Sequence, residues 1–313
     1  MTENLVLGAM LFGTATDERR SFELLDRFVD AGGVWIDTAN CYSFWEDPSG
    51  FGGQSEALLG RWLASRPGVR DRVKISTKVG CEPLEAGRFP ETAEGLSAAV
   101  IKNGIEGSLQ RPGTDHVELY WAHKPDPVTP LEETVAAFDE LVSAGTVGRL
   151  GCSNYPVWQV ERARQIARAS GGTGFTTVQQ QYSYLQPRPG TQPTVVHRFG
   201  AVTDEVLHYL EHHEDMALWA YTPLLSGRYT RTDKPLPAEY DHLGTTRRLA
   251  VLDEIAAETG TNRNRVVLAW LTGGHPAVTP IVGVSTVEQL DEAFAGVTLR
   301  LTAEQRTRLN TAS

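Results

Sequence analysis

The chain has 313 residues, 41% of them hydrophobic and 22% charged, the make-up of a globular protein with a sizeable core. A formal net charge of −10 repels phosphate backbones and anionic lipid, which argues against nucleic-acid and membrane-surface roles and leaves a small molecule or a protein as partner. Three cysteines (Cys41, Cys81 and Cys152), far apart and without CxxC spacing, speak against a disulfide framework or a zinc site and fit a reducing cytosol. The N-terminus lacks a basic leader, and no uncharged run approaches the roughly 20 apolar residues of a membrane span, so the expected location is the cytoplasm.

In chain order, short apolar or β-branched runs alternate with longer stretches of helical periodicity. A strand at 5–8 precedes a helix at 17–31; strand 34–37 precedes helix 55–64, opened by Ser55. Strand 73–77 leads to a helix over 91–110, strand 117–121 to 131–143, and strand 147–151 to 157–169. Strand 177–180 leads to helix 203–212, strand 216–220 to helices at 246–258 and 264–271, and strand 279–282 to 287–294 and 303–310, the last capped by Thr302. Eight strands alternating with helices need crossover connections and therefore a parallel sheet, and eight is the number that closes a barrel. An open doubly wound sheet is the alternative, but the turn Gly8-Ala9-Met10-Leu11-Phe12-Gly13 lacks its GxGxxG signature. The expected fold is a single (β/α)8 TIM barrel over 1–313.

A barrel presents reactive groups where strands give way to the following loops. Reading past each strand gives Asp37, Tyr42, Lys78, His123, Ser153-Asn154, Gln179, Tyr221 and Gly283. Singly, each has an ordinary explanation: the Asp as a helix cap, the Lys as a solvated cation, the His as packing. Together on one face they call for another.

The segments Ile36-Asp37-Thr38-Ala39-x-x-Tyr42, Gly53-Gln54-Ser55-Glu56 with Leu59-Gly60, and Ser76-Thr77-Lys78 are followed by Leu119-Tyr120-Trp121-Ala122-His123. Then come Gly148-x-x-Gly151-Cys152-Ser153-Asn154, Gln179-x-x-Tyr182-Ser183 and Ala220-Tyr221-Thr222-Pro223-Leu224. In this order, each at a strand end, they resemble the aldo-keto reductase family over nearly the whole chain. The resemblance implies reversible, NAD(P)H-dependent reduction of an aldehyde or ketone to an alcohol.

It further implies Tyr42 as general acid, Lys78 as the cation that lowers the phenol pKa, and Asp37 as the counter-ion of Lys78. His123 would donate to the carbonyl oxygen or relay the proton itself. Ser153, Asn154 and Gln179 would bind the nicotinamide carboxamide and Tyr221 would stack on its ring. Ser153-Asn154 before Pro156 also suits a helix cap, and both readings can hold. Thr222 and the loop containing Leu224, Ser226 and Gly227 would lie under the pyrophosphate, where a glycine lets backbone come close. The second anchor is Gly283 and Ser285 at the start of a helix carrying Gln289 and Glu292. Here the chain departs from the family pattern: Ser285 and Gln289 stand where NADPH-selective members carry basic residues, and Ala293 replaces a common Asn. NADP(H) is favoured, with NAD(H) possible. A second departure is the start: only residues 1–4 precede the first strand, so little or no β-hairpin plug is expected beneath the barrel.

Two long loops, 43–53 and 228–245, invite a role at the substrate. Phe12, Trp45, Trp121 and Tyr155 are candidates to line an apolar pocket for a bulky carbonyl compound, or else act as packing staples; the proline-bearing stretch 182–199 borders the same pocket. Cys41, with no His–acid partner in a recognisable pattern, reads as a packing residue. Two other functions compete: a non-catalytic nicotinamide-binding scaffold or regulatory subunit, and a metal-dependent hydrolase. The second lacks HxH and HExxH, and no metal is expected. Monomer and homo-oligomer are both compatible with the surface.

Overall fold

A computed structural model describes residues 2–191 and 197–312. Eight parallel strands follow one another around a closed barrel: β1 (Thr2–Gly8), β2 (Gly33–Asp37), β3 (Lys74–Val79), β4 (Leu119–Ala122), β5 (Leu150–Ser153), β6 (Phe175–Gln181), β7 (Ala217–Tyr221) and β8 (Val278–Val282). The seam between β1 and β8 is carried by Val6 opposite Ile281 and Leu7 opposite Val282. Helices α1 (Glu18–Asp30), α2 (Gln54–Ser65), α3 (Ala98–Gln110), α4 (Leu131–Ser143), α5 (Val157–Ser170) and α6 (Asp204–Glu211) cover the first six strands. They are followed by α7 (Leu243–Glu258), α8 (Arg263–Thr272), α9 (Val287–Thr298) and α10 (Ala303–Thr311). This is the (β/α)8 barrel that the strand count implied.

Strand alternation divides the core in two. Leu5 and Leu7 of β1 face outward onto Leu24, Phe28 and Val297 of α1 and α9. Val6, Trp35, Leu119, Trp121, Trp219 and Ile281 fill the barrel itself. Trp219 is the centre of this filling, with its ring centroid 5.1 Å from Trp35 and 5.3 Å from Trp121. Gly151 makes room for Trp121: a Cβ there would come within 2.2 Å of the indole. At the N-terminal ends of the strands, Arg149 and Lys74 lie over the Trp35 ring at 5.1 and 5.4 Å, and Lys74 pairs with Glu3 at 2.7 Å. These side chains cover the floor.

Local sequence sets the helix ends. Asp17 caps α1 by accepting from Arg20 N at 2.8 Å, Gly171 ends α5 in the left-handed region, and Thr302 with Gln305 forms a capping box on α10. The helix expected over 91–110 begins only at Ala98, capped by Ser97. Residues before it fold back over the end of β3, because Glu94 accepts from Asn40 Nδ2 at 2.8 Å and from Gly80 N at 2.6 Å. Helix α7 begins at Leu243, three residues before the expected 246, so the loop 228–245 is shorter than its sequence suggests. No helix among the described residues is long and apolar enough to cross a membrane.

Candidate active site

Asp37 ends β2, Lys78 lies near the end of β3, Tyr42 follows β2 by a short turn, and His123 follows β4 directly. Parallel pairing with Asp37 opposite Ser76 brings the first two together, since Ser76 and Lys78 share one face of β3. The buried ammonium of Lys78 donates to Asp37 Oδ2 at 2.5 Å, Tyr42 OH at 2.7 Å and Thr38 O at 2.8 Å. Its three protons are therefore all engaged. Ser76 Oγ donates to Asp37 Oδ1 at 2.6 Å, which fixes the carboxylate from the other side. The Tyr42 and His123 rings meet edge to face with centroids 5.8 Å apart.

Burial lowers the Lys78 pKa against the pull of Asp37, and burial followed by the Asp37 charge pushes Tyr42 well above the usual phenol value. The direction is opposite to the lowered phenol pKa that the resemblance implied. The consequence is a phenol that holds its proton firmly at neutral pH.

The residues after β5, β6 and β7 converge beside His123. Asn154 adopts a left-handed backbone (φ 63°), and its side chain works in two directions. Nδ2 donates to the His123 carbonyl at 2.9 Å, while Oδ1 accepts from the Tyr221 hydroxyl at 2.8 Å. Ser153 Oγ donates to the Gln179 carbonyl at 2.9 Å, and Gln179 Nε2 reaches Asp37 Oδ1 at 3.5 Å. Asp37, Lys78, Tyr42, His123, Ser153, Asn154, Gln179 and Tyr221 thus form one connected set.

Thr222 (φ 54°), Leu225 (φ 48°) and Ser226 (φ 57°) are left-handed, as is Ser43 (φ 73°). With Asn154 these are the five non-glycine residues of positive φ among those described, and all lie in loops at the C-terminal mouth of the barrel. Such backbone costs about 1–3 kcal/mol per residue and persists where surrounding structure enforces it. Gly227 (φ 88°) continues the same loop after Leu224, and a Cβ added to Gly283 would meet nothing within 4 Å. At the start of α9, Gln289 Oε1 accepts from Ser285 N at 2.8 Å and from Ser285 Oγ at 3.1 Å. Glu292 is held by Asn264 Nδ2 at 2.9 Å and by Asn262.

Of the four aromatic pocket candidates, three are buried in the core. Trp121 points down into the barrel filling, one layer beneath His123 on the same strand face. Tyr155 is buried with its ring 5.9 Å from Phe175, outside the barrel, and Phe12 is buried in the cluster with Leu24 and Leu58. Only Trp45, 47% exposed and edge-on to Phe44 at 5.0 Å, stands at the rim. The loop 43–53 is anchored to the β1 loop by Ser43 Oγ, which donates to Met10 O at 2.7 Å. Of the bordering stretch 182–199, residues 192–196 lie outside the described residues. A cavity of about 620 Å³, lined by Lys124, Asn154, Trp158, His197 and Phe199 among others, opens across Asn154 from His123. The sequence reading missed it, as it missed Ser76, although Ser76 stands two residues before Lys78 and so on the same face.

A profile of the Aldo/keto reductase family matches residues 4–313. The "Uncharacterized oxidoreductase YrpG" of Bacillus subtilis is 32% identical, aligned over 98% of this chain and 90% of its own. "Norsolorinic acid reductase A" of Aspergillus parasiticus is 30% identical over 96% of this chain and 75% of its own. "Aryl-alcohol dehydrogenase GME11368" of Pestalotiopsis microspora is also 30% identical, over 96% of this chain and 76% of its own. With the barrel, the strand-end residues and these alignments agreeing along its length, the chain belongs to the aldo/keto reductase family of carbonyl-reducing oxidoreductases.

Proposed function

We propose that this protein reduces an aldehyde or ketone to an alcohol, reversibly, with Tyr42 supplying the proton to the carbonyl oxygen and a nicotinamide cofactor supplying the hydride when bound. The observation that carries the reading is the single ammonium, Lys78 Nζ, in contact with both the Tyr42 hydroxyl and the Asp37 carboxylate. Tyr42 arrives protonated, and as its proton leaves, the ammonium 2.7 Å away stabilises the phenolate. Asp37 keeps Lys78 charged in a site that burial would otherwise neutralise. His123, beside the phenol, orients the carbonyl oxygen and stabilises charge developing on it.

The donor set at the mouth fits a nicotinamide. The amides of Asn154 and Gln179 and the hydroxyl of Ser153 offer both donors and acceptors to a carboxamide, and the half-buried ring of Tyr221 offers a flat face. The strained run at Thr222, Leu225 and Ser226, with Gly227, and the open space at Gly283 suit a pyrophosphate approached by backbone. We assign NADP(H) as the favoured cofactor with weak discrimination against NAD(H). Ser285 is already engaged with Gln289, and neither offers a cation to a 2′-phosphate. The partner is a small-molecule carbonyl compound.

The test pairs nucleotide binding with a panel of carbonyl substrates on wild type and Tyr42→Phe. Retained binding with turnover reduced by several orders of magnitude is the expected result. A Tyr42→Phe enzyme as fast as wild type removes Tyr42 from the proton step, and wild type that binds nucleotide without any turnover is a scaffold.

A further inference from the structure

Two of the three free cysteines meet in the wall of the site. Cys41 immediately precedes Tyr42 in the turn after β2, and Cys81 stands two residues past the end of β3. The ladder between these strands runs on past their ends, with Asn40 N donating to Lys78 O at 3.1 Å. The two side chains pack in one small cluster with Ala39, beside Tyr42, Phe44 and Phe89. Cys41 Sγ also lies 3.5 Å from His123 Nδ1. Cys152 has no such neighbour; it sits in the core between barrel and helices.

Carbonyl reduction uses neither thiol. The hydrogen bond from Cys41, then the charges of His123 and Lys124, hold Cys81 well below the ordinary thiol range despite its burial. Hydrogen bonding to Cys81 and burial push Cys41 the other way. Two cysteines packed in one small cluster can serve as an attacking and a resolving thiol, and the lower pKa marks Cys81 as the attacker.

We propose that Cys41 and Cys81 form a peroxide-responsive redox site, in which hydrogen peroxide drives closure of a Cys41–Cys81 disulfide beside the catalytic tyrosine. In the first step the Cys81 sulfur attacks one peroxide oxygen, the O–O bond breaks, and the departing hydroxide leaves as water after taking a proton; Cys81 becomes a sulfenic acid. In the second step the Cys41 sulfur, giving up its proton, attacks the Cys81 sulfur, the S–O bond breaks, and a second water leaves. Two thiols and one peroxide thereby become one disulfide and two waters. The sulfurs must move from contact to bonding distance, which draws Cys41 from His123 and pulls on the peptide that carries Tyr42. The effect on turnover rests on the carbonyl-reductase reading; the disulfide itself does not.

The experiment treats the purified full chain with hydrogen peroxide and maps its peptides without reduction, following turnover before oxidation, after it and after dithiothreitol. Expected are a Cys41–Cys81 peptide pair, free Cys152, and turnover lowered on the order of tenfold or more and restored by the reductant, since small displacements of reacting groups cost that much. In Cys41→Ala, compared only with itself before and after peroxide, the reaction stops at a sulfenic acid on Cys81 that dimedone traps. Cys41 and Cys81 both remaining free after peroxide, or an unlabelled Cys81 in Cys41→Ala, overturns the redox site. A disulfide that leaves turnover unchanged overturns the coupling to Tyr42. A disulfide in a protein with no turnover before oxidation sinks the reductase reading instead and leaves the redox site standing.

Discussion

Asn154 Nδ2 donates to the carbonyl oxygen of His123 at 2.9 Å, so the residue expected to hold the cofactor amide also fixes the backbone that presents the imidazole. Asn154→Ala and Asn154→Gly both remove that hydrogen bond, but only glycine accepts the left-handed backbone without strain. Both variants should lose on the order of tenfold to a hundredfold in kcat, as expected when a reacting group is displaced. The alanine variant should be less stable than the glycine variant by about 1 kcal/mol, the cost of a left-handed backbone with a Cβ. Steady-state kinetics beside thermal unfolding separates the two effects; equal kcat in wild type and both variants would detach Asn154 from His123 function.

Gly151→Ala tests the filling of the barrel. The added methyl would press on the Trp121 ring at 2.2 Å, with strand backbone on either side that yields little. Overpacking of this kind costs about 1–3 kcal/mol or somewhat more. Combined with Trp121→Leu, the loss should be smaller than the sum of the two single losses, because the clash disappears with the indole. A strictly additive pair in denaturant titrations argues against the contact.

Glu82 sets a pH dependence. Burial raises its carboxyl to about 7, although Gly52 N donates to it at 2.8 Å. A folded-state pKa above the unfolded 4.5 means that the fold favours the protonated acid. Its stabilisation is complete below pH 4.5 and is lost as pH rises through about 7. Glu82→Gln, which keeps the acceptor and cannot ionise, should flatten the fall in Tm across that window. An unchanged Tm–pH curve in the variant would place the titration elsewhere.

Cofactor choice should respond to charge at the start of α9. Ser285→Lys with Gln289→Arg replaces a closed Ser–Gln pair by two cations. The ratio of kcat/KM for NADPH over NADH should rise about tenfold or more, since a charge-assisted hydrogen bond contributes about 1.5–3 kcal/mol. No change in that ratio would move the 2′-phosphate away from this helix end.

Much of the site was legible because it depends on strand ends, and strand ends follow from a period of two and a count of eight. Asp37, Lys78 and His123 each stand at or beside the end of a strand, and parallel pairing then brings them together whatever the surrounding loops do. What was not legible depends on three-dimensional competition. Residues 91–94 carry helix-compatible side chains, yet Glu94 satisfies buried amide donors of Asn40 and Gly80 and so belongs to the site wall rather than to α3. Trp121 could be a pocket aromatic or a packing staple by sequence; two residues before His123 on one strand means the same inward face but one layer deeper, among the barrel filling. The cavity across Asn154 is assembled from separate loops together with the starts of α4 and α5, and no local pattern announces it. Cys41 and Cys81 meet in the segments that follow β2 and β3, and neither spacing along the chain nor the strand register announces it.

The chain-ordered barrel also has a consequence for biosynthesis. The outer edge of β1 finds its partner only in β8, which begins at Val278. Until the ribosome has released that segment, the nascent protein is an open ribbon with two unpaired edges, one of them carrying Leu5, Val6 and Leu7. Final cyclisation is therefore a late event in the life of the polypeptide, and a premature stop anywhere before β8 leaves a sticky template rather than a smaller enzyme.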